Sequence, residues 1–103
     1  MEMKSRPKFV DIRKSSRRDK KLMVVFDDGL VVHFGARGYG DFVAYSAKNR
    51  DLAEIKRNAY IARHGATENW TNPYTAATLS RYILWEKPTL RESIRFYRRK
   101  FRI

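Results

Sequence analysis

Arg91, Arg95, Arg98 and Arg102 recur at i, i+4, i+7 and i+11, a spacing that sets four guanidinium groups in one row along a helix. One position earlier, Leu90, Ile94, Tyr97 and Phe101 follow the same spacing and form an apolar stripe about 100° around the same helix. The chemistry open to such a row is contact with anions. A guanidinium is planar and permanently charged, and it can donate two parallel hydrogen bonds to one phosphate. Cations near a helix C-terminus also offset the helix dipole on a solvated face, but one or two are enough for that. Six Lys or Arg follow Leu90, Arg99 and Lys100 among them, so phosphate contact is the expectation for this helix. Arg17, Arg18 and Lys20, in a turn, and Lys4, Arg6 and Lys8, near the N-terminus, are candidates to extend it. Taken alone, each group is an ordinary charged turn or tail, and whether they share a face with the last helix is not written in the sequence.

Other constellations carry less. His33 falls on an outward strand position and His64 at a helix end, and no short motif ties either to a carboxylate. His64 and Glu68 stand at i, i+4, but Gly65 between them is expected to break the helix, which leaves no metal-binding face. The loop Gly35 to Gly40 lacks the Gly-Lys-Ser/Thr ending of a phosphate cradle and precedes no strong helix start. Tyr39, Phe42, Tyr45, Tyr60, Trp70, Tyr74, Tyr82 and Trp85 could in principle stack on unpaired bases. A small chain without cysteine needs most of them for its core, and that is the stronger reading. The expectation is therefore a non-enzymatic protein with no catalytic residue, metal, cofactor or small-molecule substrate.

The 103 residues suit one folded domain, and an aromatic content of 14% argues against disorder. The net charge of +12 is uneven: +5 over residues 1–20, +1 over residues 21–86 and +6 over residues 87–103. Charge gathered at two ends makes a potential that attracts a polyanion. No apolar run is long enough to span a membrane, and no apolar segment follows Lys4 to Lys8, so neither a membrane anchor nor a secretory leader is expected.

The elements that must position these residues read as α+β: an N-terminal three-stranded antiparallel sheet followed by three helices packed on one face. Residues 1–7 read as a basic arm and residues 8–103 as the domain. Lys8 to Lys14 alternates as an edge strand with Val10 and Ile12 on one face. Lys21 to Gly35 reads as a hairpin with two possible loops. A two-residue Asp28-Gly29 turn would split the large apolar residues between both faces. A three-residue loop with Gly29 in the left-handed region pairs Phe26 with Leu30 and places Leu22, Val24, Phe26, Leu30, Val32 and Phe34 together, and is preferred. Ser46 can cap a helix over residues 47–64 whose Leu52, Ile55, Ala59 and Ala62 form its apolar face. Asn72 before Pro73 starts a second helix ending at Trp85. Thr89 to Glu92 is a capping box that starts the third, residues 90–101.

A motif series runs through these elements: His33-Phe34-Gly35, Tyr39, Asp41-Phe42, Tyr60-Ile61-Ala62-Arg63-His64, Trp70-Thr71-Asn72-Pro73, Ser80-Arg81, Leu84 to Leu90 and Ser93-Ile94. It covers about the last two thirds of the chain and resembles a functionally uncharacterised family of small basic proteins encoded by large nucleocytoplasmic DNA viruses. Val43-Ala44-Tyr45 stands where that pattern carries Thr-x-His, which removes any role built on that histidine. The resemblance implies a viral setting, in the virion or inside the host cell, and leaves two partners open. One is nucleic acid, foremost duplex DNA, bound through its backbone. The other is the acidic surface of neighbouring virion proteins, bridged by a minor capsid component.

Overall fold

A computed structural model of the chain describes residues 6–103, so most of the expected basic arm, Lys4 included, lies outside the described residues. Three antiparallel strands in the order β1-β2-β3 form the sheet: β1 Phe9–Lys14, β2 Lys20–Phe26 and β3 Val31–Ala36. The hairpin takes the three-residue loop. Phe26 N–H donates to Leu30 O at 2.9 Å, and Gly29 has φ of +91°, a left-handed conformation that favours glycine. Leu22 faces Phe34 and Val24 faces Val32, so Val24, Phe26 and Phe34 are fully buried on one side, whereas Leu30, expected with them, lies at the loop end and is 39% exposed.

β1 departs from simple alternation. Phe9 pairs with Phe26 but Asp11 pairs with Val25, so Val10 is an extra residue in a bulge and is 57% exposed. Phe9, not Val10, joins Ile12 on the core face. The inserted residue shifts the alternation by one, which the sequence pattern alone cannot show.

Four helices follow, one more than expected: α1 Phe42–Ser46, α2 Arg50–Gly65, α3 Ala76–Leu79 and α4 Leu90–Phe101, with α3 running on into a π-helical turn, Ser80–Leu84. The extra one, α1, is a single short turn capped by Asp41, whose Oδ1 accepts from Ala44 N–H at 2.9 Å. The loop before it therefore does lead into a helix. α2 is capped by Asn49 instead of Ser46, because the chain between them completes α1. α3 starts at Thr75: Asn72 instead closes a local turn onto Tyr74 N–H at 2.9 Å, and Thr75 Oγ1 accepts from Thr78 N–H at 3.2 Å. α4 has its expected bounds, with Thr89 Oγ1 accepting from Glu92 N–H at 3.2 Å.

α3, the π-helical turn and α4 cover the buried face of the sheet. α2 lies further out against α1 and Trp85, and this changes which of its residues are buried. Ala53 and Tyr60 are buried while Ile55 is 65% exposed, with Leu52, Ala59 and Ala62 also on the solvent side. Arg57 lies between Ala53 and Tyr60 on the inward stripe. It donates to Trp85 O at 3.0 Å and to Glu86 at 2.9 Å, and Arg81 shares that carboxylate at 3.2 Å. An inward stripe containing Arg57 and His64 is not visible to a count of apolar periodicity. Trp85 therefore fills the space against α2, stacked on Tyr60 at 4.4 Å, and not the corner between the last two helices.

Candidate nucleic-acid interface

The apolar stripe of α4 seats it. Tyr97 is fully buried, its hydroxyl donating to Pro73 O at 2.6 Å, and Ser93 ties the preceding corner through Lys87 N–H at 3.0 Å. Burial, reinforced by Tyr74, pushes the Tyr97 hydroxyl far above the ordinary tyrosine range, with Arg6 opposing the shift slightly. Beside that anchored stripe, Arg91, Arg95, Arg98, Arg99 and Arg102 are all exposed. Arg91, Ile94, Arg95, Arg98, Arg99 and Ile103 line one shallow groove.

Among the described residues, the ion pairs use Arg13, Arg17, Lys21, Arg57, Arg81 and His64, and none involves a cation of α4. Arg98 is held by lying over the Phe9 ring at 4.9 Å. Arg102 caps the helix in the left-handed region, φ 56°, its N–H donating to Arg98 O. The row is thus solvated, unneutralised and rooted in a rigid element.

The two basic ends of the sequence meet here. Phe9 N–H donates to Ile103 O at 3.3 Å, Lys8 Nζ approaches Arg102 O at 3.5 Å, and the Arg6 guanidinium donates to Phe101 O. Arg6 and Pro7, read as part of a loose arm, are docked, since Tyr74 Oη donates to Pro7 O at 2.8 Å. Arg17, Arg18 and Lys20 are placed elsewhere. They sit past the far end of β1, about 20 Å along the strand at about 3.3 Å per residue. Arg17 is engaged by Asp19 at 3.1 Å, and Lys20 lines a different cleft, between α2 and the loop before α1. Phe9 and Ile103, which hold Arg98 and close the groove, were missed by the sequence reading. The bulge hid the orientation of Phe9.

Of the other candidates, His64 and Glu68 do meet, Nδ1 to Oε2 at 2.6 Å, because Gly65 is the last helical residue and the chain continues in a turn, with Glu68 N–H donating to His64 O at 2.8 Å. Glu68 also accepts from Trp70 Nε1 at 3.0 Å. Among the described residues no three His, Asp or Glu side chains converge to hold a metal ion, and no helix is long and apolar enough to cross a membrane. Phe42, Tyr60 and Trp85 are buried, whereas Tyr39 is 75% exposed.

Comparison with known proteins adds one match. Residues 10–64, from β1 through α2, match a family described as a family of unknown function, DUF5754. No curated protein and no solved structure matches the chain.

Proposed function

The chain belongs to DUF5754, a family whose function is unknown, and from its own geometry we propose that it is a non-enzymatic protein that binds the phosphate backbone of nucleic acid, duplex DNA foremost, with little sequence readout. The observation that carries this reading is the set of four exposed arginines on α4 with Arg102 at its cap, with no carboxylate partner among the described residues, joined at the C-terminal end by Arg6 and Lys8. A rise of about 1.5 Å per residue spaces Arg91, Arg95 and Arg98 roughly 4.5 to 6 Å apart, within reach of successive backbone phosphates, while Arg102 follows in the left-handed cap and leaves the helical row. Such contacts position a protein on the duplex and carry no base information. The motif resemblance supports a virion-associated or host-intracellular setting.

Anisotropy of a labelled duplex titrated with the protein tests the reading. Saturable binding that weakens steeply between 50 and 200 mM salt is the expected result. Weak, non-saturable binding to duplex, together with salt-dependent association with an acidic virion protein, would instead assign the same face to a minor capsid protein bridging its neighbours.

A further inference from the structure

The cleft that receives Lys20 is not absorbed by the α4 face. It encloses about 590 Å³ between the start of β2, the loop before α1, α2 and the π-helical turn. Its depth comes from small residues: Ala59, Ala76, Ala77 and Ser80 line it where larger side chains would fill it. At its rim Gly40 leaves room for the Tyr45 ring, which a Cβ there, 2.5 Å from it, would push aside. Tyr45 thus packs close over the backbone as one wall, with Lys56 Nζ 5.8 Å from its ring centre. Tyr39, on the same loop, is exposed and has no packing partner among the described aromatic pairs.

The charges lining the cleft are unbalanced in a specific way. Both carboxylates are already engaged: Asp41 by Lys21 at 2.7 Å and by Ala44 N–H, Glu68 by His64 and Trp70. Lys20, Lys56 and Arg63 line the same cleft and form no ion pair among the described residues. A concavity with an available aromatic ring at its rim and three uncompensated cations fits a ligand with a flat π-face and an attached phosphate. It does not fit an apolar molecule, which would leave those cations facing it, nor a bare anion, which would leave the aromatic walls unused.

We propose that this cleft binds a nucleoside phosphate, its base stacked on Tyr39 and its phosphate held by Lys20, Lys56 and Arg63. The nucleotide could arrive free or as an unpaired residue of a single strand, and the chemistry of recognition is the same. The site is separate from α4, so it stands whether or not duplex binds there.

The experiment is amide chemical-shift mapping of the full chain titrated separately with AMP, dTMP, oligo(dT) and inorganic phosphate. Saturable shifts confined to residues 20–21, 35–45, 56–68 and 76–85 are expected with the nucleotides, with inorganic phosphate binding at least tenfold more weakly. Tyr39→Ala should weaken nucleotide binding about tenfold, as expected for loss of one stacked base, and Lys56→Gln with Arg63→Gln should weaken it further. Both changes are at exposed side chains, and neither should alter duplex binding. Tighter binding of oligo(dT) than of dTMP identifies the single strand as the source, and the reverse identifies the free nucleotide. No saturable shifts in the cleft, equal binding of inorganic phosphate, or nucleotide binding unchanged in both variants would overturn the proposal. Arg91→Gln with Arg95→Gln should leave nucleotide binding intact, so failure of this site and failure of the α4 reading are told apart.

Discussion

Replacing Arg91 and Arg95 together by Gln isolates the electrostatic claim, because neither side chain has a hydrogen bond or ring contact to lose among the described residues, whereas Arg98 lies on Phe9 and Arg102 caps the helix. If Arg91, Arg95, Arg98, Arg99 and Arg102 each displace about one counterion, the wild-type log-log salt slope should be about −4.5, or about 500-fold in affinity between 50 and 200 mM salt. The double variant should show a slope of about −2.7 and lose only about 40-fold over the same range. Duplexes of different sequence should be weakened alike, since phosphate contacts carry no base information. Anisotropy titrations at four salt concentrations measure the slope, and a thermal melt checks the fold, which should be unchanged because both positions are exposed. An unaltered slope in a folded variant would refute the reasoning and leave the arginine row as a solvated helix face.

Phe34→Ala should cost roughly 3 to 5 kcal/mol in a urea titration, because the side chain is fully buried and its removal leaves a cavity in the sheet core; a loss under about 1 kcal/mol would contradict the register. Trp85→Ala should lower stability through the lost stack on Tyr60 while leaving the duplex salt slope unchanged; normal melting with lost duplex binding would show that Trp85 belongs to the interface. Stability should also fall at high pH. Burial pushes the Tyr60 hydroxyl up to about 12, with Glu68 adding to the rise and Arg81 opposing it, while the unfolded chain ionises near the ordinary value of 10.0. The unfolded state therefore binds fewer protons above pH 10, so the contribution is complete below pH 10 and is lost as pH rises toward 12. Denaturation midpoints that stay flat to pH 12 would contradict that burial.

What could be read beforehand was local. Asp27-Asp28-Gly29 specifies a three-residue loop through short-range turn chemistry, and Thr89 with Glu92 marks the start of α4. Where two local signals compete, the sequence does not arbitrate. Asn72 and Thr75 are both good caps, and the later one is used, with Pro73 buried in the intervening turn and its carbonyl accepting from the Tyr97 hydroxyl. The bulge at Val10 and the inward Arg57 were invisible because each depends on a partner far along the chain. The α4 face was legible as a row but not as a meeting point of both termini. The cleft was not legible at all, since its walls come from residues 20 to 85 and its depth from small residues that carry no chemical signal of their own.

The bond from Phe9 N–H to Ile103 O has a consequence for how the binding face comes into being. The Lys8 to Arg102 contact beside it spans 94 positions of sequence, and closing a flexible loop of that length costs about 4 kcal/mol in chain entropy. The Arg6 and Lys8 side-chain bonds to the end of α4 are exposed to solvent, and bonds of that kind near a chain end are the ones that open most readily in the native state. Each opening separates Arg6 and Lys8 from the α4 row. A polyanion laid across both would act as an external clasp, stabilising the closed edge by its own binding free energy and slowing amide exchange at Phe9 and Ile103 before any other part of the molecule responds.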